Sequence, residues 1–191
     1  MRVFVAGATG AIGRHLVPRL VAAGHDVHGM TRSESKQAML DELGAVPVVA
    51  DALDPDQVAD AVGKARPDVI VHQLTALAGK GMRGLKRRVA MTNRLRSEGT
   101  DHLLSAGQAV GVRRFVAQGN SALYARTGGP VKSEEDPVDP TPHATSARLR
   151  PRSFISKRQS SMRGGPRASC CATAAFTGQA QTWRPAGISM R

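Results

Sequence analysis

Three glycines near the start of the chain have the spacing of a phosphate-binding turn. Gly7, Gly10 and Gly13 follow an apolar run at residues 3–6 and precede apolar residues that recur at helical spacing. The first glycine permits a tight turn, the second lets a phosphate approach the backbone, and the third lets a helix pack on the strand. Since the free amides of a helix N-terminus attract anions, this pattern predicts a site for a dinucleotide pyrophosphate. The alternative is a turn that only connects strand and helix.

The elements that must position this turn alternate along the chain. Apolar runs of strand length alternate with segments of helical periodicity as far as residue 118. We expect strands at residues 26–30, 46–50, 69–72 and 112–118, and helices at 34–43, from 55 onwards and at 84–110. Alternating units of this size predict an α/β fold, a Rossmann-type doubly wound parallel sheet.

The stretch Gly7-Ala-Thr-Gly-Ala-Ile-Gly13 resembles the glycine motif of the extended short-chain dehydrogenase/reductase superfamily. More narrowly, it resembles the NAD(P)-dependent epimerase/dehydratase family, as do the segments 92–104 and 115–124. The resemblance covers about residues 1–145, which it identifies as an NAD(P)-binding Rossmann domain. It implies an oxidoreductase or epimerase that acts on a small carbonyl or sugar-like substrate.

The resemblance also implies which positions contact or support the cofactor. They are Gly7, Thr9, Gly10, Ile12, Gly13, Asp51, Ala52, Leu74, Thr75, Ala76 and Asn93. Asp51 matches a residue that bonds the adenine amino group, although a loop carboxylate is an equal alternative. Leu74, Thr75 and Ala76 match the loop that passes the pyrophosphate and the nicotinamide ribose. Asn93 matches an asparagine that bonds backbone near the fourth strand, with an exposed helix residue as the alternative.

Arg32 follows the second predicted strand, where a Rossmann fold meets the ribose of the adenosine. An acid at this point binds the 2′-hydroxyl of NAD, whereas an arginine accommodates the 2′-phosphate of NADP. The chain offers Thr31, Arg32 and Ser33 there, with no acid before Glu34. The sequence therefore predicts NADP, with NAD and a solvated arginine as the alternative.

The catalytic residues of the resembled family are incomplete in this chain. Asn120 stands where a catalytic serine or threonine is usual, and Ser121 is adjacent. Tyr124 is the only tyrosine, and Gly128 occupies the position where a Tyr-x-x-x-Lys pair needs its cation. Ser121 and Tyr124 are thus weak candidates, and Tyr124 is expected to be a core or loop aromatic. A non-catalytic dinucleotide-binding or redox-sensing module is the alternative to an enzyme.

The segment from 146 to 191 differs from the rest in composition. Residues 147–191 contain 9 of the 27 Lys and Arg residues and none of the 15 Asp and Glu residues. No helical or strand periodicity persists there, and we expect a disordered or out-of-frame tail and a sheet that lacks its sixth strand. The net charge of +12 therefore does not predict nucleic-acid binding.

The possible codons of the tail, read in a shifted frame, support a change of reading frame near residues 144–150. New codons can be formed from the last base of each residue and the first two bases of the next. Residues 169–183 can then be read as Val-Leu-Arg-Tyr-Gly-Gly-Phe-Tyr-Gly-Pro-Gly-Thr-Asp-Leu. This reading resembles the strand-six motif of the same family, which lies near the nicotinamide.

Other site classes find little support in the sequence. The six histidines have no metal-ligand spacing, and the adjacent Cys170 and Cys171 are not a zinc motif. The basic run at 80–88 lacks interleaved aromatic residues and is expected to be solvated. No secretory pattern or membrane-spanning run is found, so we expect a cytoplasmic protein without a membrane partner.

Overall fold

In the part of the chain that the structure describes, six parallel strands form one sheet. The computed structural model describes residues 1–78, 84–118, 124–125, 127–128, 131 and 136–137, and the backbone of 167–171. The strands are β1 (Arg2–Ala6), β2 (Asp26–Thr31), β3 (Val46–Val49), β4 (Val69–His72), β5 (Arg114–Gln118) and β6 (Arg167–Cys171). Their spatial order is β3-β2-β1-β4-β5-β6, which confirms the predicted Rossmann sheet. The strand order reverses between β1 and β4, where such sheets bind ligands at the carboxyl ends.

Within the described ranges, four α-helices connect the strands. They are α1 (Gly13–Ala22), α2 (Gln37–Glu42), α3 (Pro55–Ala65) and α4 (Leu85–Ala109). Asp54 caps α3, because its side chain accepts hydrogen bonds from the backbone amides of Asp56 and Gln57. The helix predicted at 34–43 is split, since a 3₁₀ turn at Glu34–Lys36 precedes α2. The hydroxyls of Ser33 and Ser35 bond each other in that turn, which favours local structure over a regular helix start.

The core lies on both faces of the sheet. Phe4, Ile70 and Leu103 are buried between the sheet, α3 and α4. Val5 and Val17 belong to a second cluster, on the face that α1 and α2 cover. Each fully buried aliphatic side chain contributes about 1.5–3 kcal/mol, so these clusters hold the carboxyl ends of β1 and β4 in fixed positions. None of the helices in the described ranges has the length and hydropathy that a bilayer crossing requires.

The sixth strand corrects one sequence expectation. Arg167–Cys171 pairs in parallel with β5, with Arg114 opposite Arg167 and Gln118 opposite Cys171. The reason is that ladder hydrogen bonds come from the backbone, so an unpaired edge of β5 can accept a segment whose composition does not indicate a strand. The remaining positions of 146–191 lie outside the described residues, and the domain boundary at 145 stays a prediction.

Candidate functional site

The glycine turn has the geometry that its spacing predicts. Gly7 adopts φ +91°, a left-handed conformation that strongly favours glycine. A Cβ at Gly13 would lie 2.3 Å from the carbonyl oxygen of Gly7 and 2.5 Å from that of Ala8. The amide of Ala8 donates to the carbonyl oxygen of Met30 at 3.3 Å, which joins the turn to the end of β2. The turn is therefore fixed between two strands and the first turn of α1.

The N-terminus of α1 is open to an anion. Among the described residues, the backbone amides of Ala11, Ile12 and Gly13 have no hydrogen-bond acceptor. Ile12 provides no side-chain cap, and no acidic residue occupies the first turn. Gly10 is exposed, and a Cβ there would meet only the carbonyl oxygen of Gly7, at 3.1 Å. Free amides, the helix dipole and an exposed glycine backbone together fit a pyrophosphate.

The loop after β4, residues 73–76, packs directly on the glycine turn. The amide of Gln73 donates to the carbonyl oxygen of Ala6 at 2.8 Å. A Cβ at Gly7 would lie 2.9 Å from the carbonyl of Gln73 and 3.1 Å from the amide nitrogen of Leu74. The structure thus places the start of this loop, at Gln73 and Leu74, against Gly7. Thr75 is exposed at this edge, whereas Leu74 and Ala76 are partly buried.

Two side chains anchor this loop from outside the glycine turn. Thr92 Oγ1, on α4, accepts a hydrogen bond from the amide of Ala76 at 3.0 Å. His72 accepts one from the amide of Leu74 through Nδ1 at 3.2 Å, and its Nε2 donates to the carbonyl oxygen of Leu95 at 3.2 Å. These partners fix the tautomer, because an amide only donates and a carbonyl only accepts. Burial lowers the pKa of His72 to about 4, so the imidazole is neutral at pH 7.

The loop after β3 contains Asp51 and Ala52, the residues that the sequence predicts near the adenosine. Asp51 is partly buried, and its Oδ1 accepts a hydrogen bond from the amide of Leu53 at 2.9 Å. Gln57 Oε1 in turn accepts from the amide of Asp51 at 3.0 Å. Ala52 is buried, and its carbonyl oxygen accepts a hydrogen bond from His102 Nδ1 on α4 at 3.0 Å. Asp51 therefore has a structural contact in its own loop, and its predicted contact with adenine stays a prediction.

Arg32 lies directly beyond the last residue of β2. Its side chain is exposed, whereas the preceding Thr31 is buried. Thr31 Oγ1 accepts a hydrogen bond from the amide of Ser33 at 3.3 Å, and the Ser33 and Ser35 hydroxyls are 2.8 Å apart. The guanidinium and two hydroxyls therefore occupy the same end of the sheet as the glycine turn. Such donors suit a phosphate better than a ribose hydroxyl.

The remaining predicted residues have no demonstrated role. Asn93 is partly buried on α4, and its carbonyl oxygen accepts a hydrogen bond from the Ser97 hydroxyl at 2.9 Å. Tyr124 is partly buried. Ser121, like Asn120, lies outside the described residues. The structure therefore does not bring a catalytic pair together within the described part of the chain.

Sequence reasoning missed His72, Thr92 and His102 as site residues. His72 ends an apolar strand that is buried in the sheet, and a polar residue at such a position requires hydrogen-bond partners. The polar residue at the end of this buried strand was the sequence signal by which His72 could have been found. Thr92 and His102 lie in a helix whose periodicity does not reveal which strand ends it faces. The described residues contain no cluster of His, Cys, Asp and Glu that could hold a metal ion.

Comparison with known families agrees with this geometry. The family model for the NAD dependent epimerase/dehydratase family matches residues 3–147. The chain belongs to this family. The match includes the glycine turn, both loops and α4.

Two curated relatives in this family are named as reductases. The 3-diazoavenalumate denitrifying reductase of a Streptomyces species is 48% identical over 142 residues, which are 72% of this chain and 44% of the relative. The 4-hydroxy-2-methyl-3-oxo-4-farnesyl-3,4-dihydroquinoline-1-oxide ketoreductase of Stigmatella aurantiaca is 31% identical over 146 residues, 75% of this chain and 41% of the relative. The chain thus spans less than half the length of these relatives.

A solved structure shares the fold. The UDP-glucose 4-epimerase of Thermus thermophilus, in complex with NAD, superposes with a TM-score of 0.65 at 24% identity. The match covers 84% of this chain and 51% of that enzyme. The identity is low, so this similarity concerns architecture alone.

Proposed function

We propose that the chain is the dinucleotide-binding part of an NAD(P)-dependent oxidoreductase. The observation that carries the proposal is the open N-terminus of α1, where the amides of Ala11, Ile12 and Gly13 have no acceptor among the described residues. Exposed Gly10 leaves the approach to these amides free of side chains. Family membership over residues 3–147 supports the same conclusion.

The described residues can be assigned to parts of the cofactor. The amides at the start of α1 would hold the pyrophosphate, with Thr9 and Ile12 beside it. The loop at Asp51 and Ala52 would border the adenine, and Leu74 to Ala76 would border the nicotinamide ribose. A bound nicotinamide dinucleotide supplies hydride exchange with a carbonyl or alcohol. The contribution of this chain is to bind and orient the cofactor.

We propose NADP(H) rather than NAD(H) as the preferred cofactor. Arg32 and the hydroxyls of Ser33 and Ser35 lie together after β2, and no acid precedes Glu34 there. A 2′-phosphate would gain charge-assisted hydrogen bonds at this position. The solved epimerase of similar fold is a complex with NAD, so cofactor choice in this chain requires a direct measurement.

The substrate, as we propose for intact relatives of this chain, is a small carbonyl or sugar-like compound. The name of one curated relative, a ketoreductase, supports the first of these. A second candidate function is a non-catalytic or redox-sensing dinucleotide module. It is favoured by Tyr124, the only tyrosine, because Gly128 stands where a neighbouring cation would be needed. We therefore expect this chain alone to show little or no turnover.

Fluorescence titration of the full chain with NADPH and NADH tests cofactor binding. Gly10→Val should abolish binding, because its side chain would cover the amides at the start of α1. Gly63→Ala is the control, since a Cβ at Gly63 meets nothing within 4 Å. A wild-type chain that binds neither cofactor would contradict the proposal. NADPH oxidation with a panel of carbonyls distinguishes an enzyme from a module, provided that Gly10→Val abolishes it.

A further inference from the structure

The loop 73–76 is held at two separate points by side chains that are not among the residues predicted to contact the cofactor. His72 Nδ1 accepts from the amide of Leu74, and Thr92 Oγ1 accepts from the amide of Ala76. Both side chains are buried, at 3% and 0% exposure, so water cannot easily replace either acceptor. Each is also bonded to the backbone of α4, at the carbonyl oxygens of Leu95 and Arg88.

These bonds transmit the position of α4 to the glycine turn. Leu74 lies so near Gly7 that its amide nitrogen would be 3.1 Å from a Cβ there. A small shift of the loop would therefore move the backbone that borders the pyrophosphate site. The rings of Phe115 and His72 make a T-shaped contact, with centroids 6.3 Å apart, which limits rotation of the imidazole.

We propose that His72 and Thr92 are positioning residues that fix the loop 73–76 for dinucleotide binding. The inference rests on the proposed cofactor site and adds two residues to it. Their role is distinct from core packing, because the relevant atoms are single acceptors for loop amides. Removing the acceptor should weaken cofactor affinity more than it lowers the stability of the fold.

Variants of His72 can separate its two hydrogen bonds. In His72→Asn, the amide oxygen stands at the branch of the side chain that carries Nδ1 and can still accept from Leu74. In His72→Gln, the longer side chain can reach Leu95 but offers no acceptor at the Nδ1 position. We expect His72→Asn to retain most NADPH affinity and His72→Gln to lose about ten-fold, the equivalent of one buried hydrogen bond.

Thr92→Val provides a test that disturbs the core less. Valine has the shape of threonine but cannot accept from the amide of Ala76, so affinity should fall by about five- to ten-fold. Thr100→Val is the matched control. Thr100, like Thr92, is buried on α4, and its hydroxyl donates to the carbonyl oxygen four residues before it, at Arg96. Unlike the bond that Thr92 accepts from Ala76, this bond does not involve the loop 73–76.

The measurements are NADPH affinity by titration and unfolding free energy by urea denaturation, on the full chain. The proposal requires that Thr92→Val loses affinity while Thr100→Val does not, at similar losses of stability. Equal changes in NADPH affinity in the two threonine variants would overturn the proposal. It would also be overturned if His72→Asn and His72→Gln lost NADPH affinity only in proportion to their loss of unfolding free energy. A wild-type chain without dinucleotide affinity would overturn the proposed function together with this proposal. The outcomes above, in a wild-type chain that binds NADPH, would overturn the positioning role alone.

Discussion

A Cβ on Gly13 would lie 2.3 Å from the carbonyl oxygen of Gly7, closer than atoms of these types approach in proteins. Helix α1 therefore begins directly against the turn that precedes it, and only glycine permits this contact. The contact also directs the start of the helix towards the open side of the turn. The position of the proposed phosphate site thus depends on the absence of one methyl group.

Gly13→Ala should lower both stability and cofactor affinity. The obstructing atoms belong to the backbone of Gly7 and Ala8, so the helix or the turn must move. We expect a loss of about 1–3 kcal/mol in unfolding free energy, as for other overpacked sites. Gly63→Ala, in open space on α3, should instead gain about 0.5–1 kcal/mol. Urea unfolding of both variants checks this pair, and equal effects at the two glycines would contradict it.

Arg32→Ala should weaken NADPH binding and leave NADH binding almost unchanged. A charge-assisted hydrogen bond contributes about 1.5–3 kcal/mol, so roughly ten-fold or more of the NADPH affinity should be lost. Arg114→Ala is a suitable control, because Arg114 is also exposed but begins β5, at the opposite end of the strands from the glycine turn. Titrations with both cofactors provide the measurement. An equal loss for NADPH and NADH would show that Arg32 does not read the 2′-phosphate.

Stability should decrease as the solution is acidified from about pH 7.5 to pH 5. Burial lowers the pKa of His72 to about 4, with a smaller contribution from the positive charge of Arg96, whereas an unfolded histidine titrates near 6.5. Below about pH 6.5 the unfolded chain takes up a proton that the folded chain does not, so protonation stabilises the unfolded state. This one group should remove about 2 kcal/mol by pH 5.

The histidine contribution can be isolated by comparing two variants. His72→Asn cannot titrate at this position, and its unfolding free energy should lose less on acidification than that of the wild type. His25→Asn, in the turn between α1 and β2, should retain the wild-type pH dependence. If the pH profiles of the wild type and His72→Asn coincide, His72 does not cause the acid sensitivity.

We propose that a frame change near residues 144–150 produces the acid-free tail. Ser169 to Cys171 belong to β6. In the shifted frame their codons can encode Val-Leu, apolar residues of the kind found in parallel strands. Resequencing the gene from its source DNA should reveal a single-base insertion or deletion between codons 141 and 151. An uninterrupted reading frame in independent templates would refute this proposal.

The fold could be predicted from the sequence because the patterns that indicate its strands, turns and helices are local. The apolar run at β1, the glycine turn and the helix that begins at residue 55 each depend on neighbouring residues, and all three are found as predicted. The bounds of β4 at Val69–His72 were also predicted correctly, since a buried parallel strand is a continuous apolar run. Helix 34–43 was the main local error, because hydroxyl contacts at Ser33 and Ser35 are not expressed in periodicity.

The hydrogen bonds that support the site could not be predicted from the sequence, because they join residues that are far apart along the chain. His102 and Ala52 are separated by 50 positions, and His72 and Leu95 by 23. Sequence periodicity shows that α4 has a buried face, but not which loop amides and carbonyls that face meets. For the same reason the pairing of Arg167–Cys171 with β5 could not be deduced from the tail's composition.

The strand order has a consequence for how the chain folds during synthesis. β1, at residues 2–6, is synthesised more than 60 residues before β4, at residues 69–72, which is one of its two neighbours in the sheet. The centre of the sheet therefore cannot close until β4 has left the ribosome. β5 then waits for a partner at Arg167–Cys171, across a separation of 53 positions at Arg114 and Arg167. Such late pairing is slow, so the nascent chain carries an open edge that chaperones would have reason to cover.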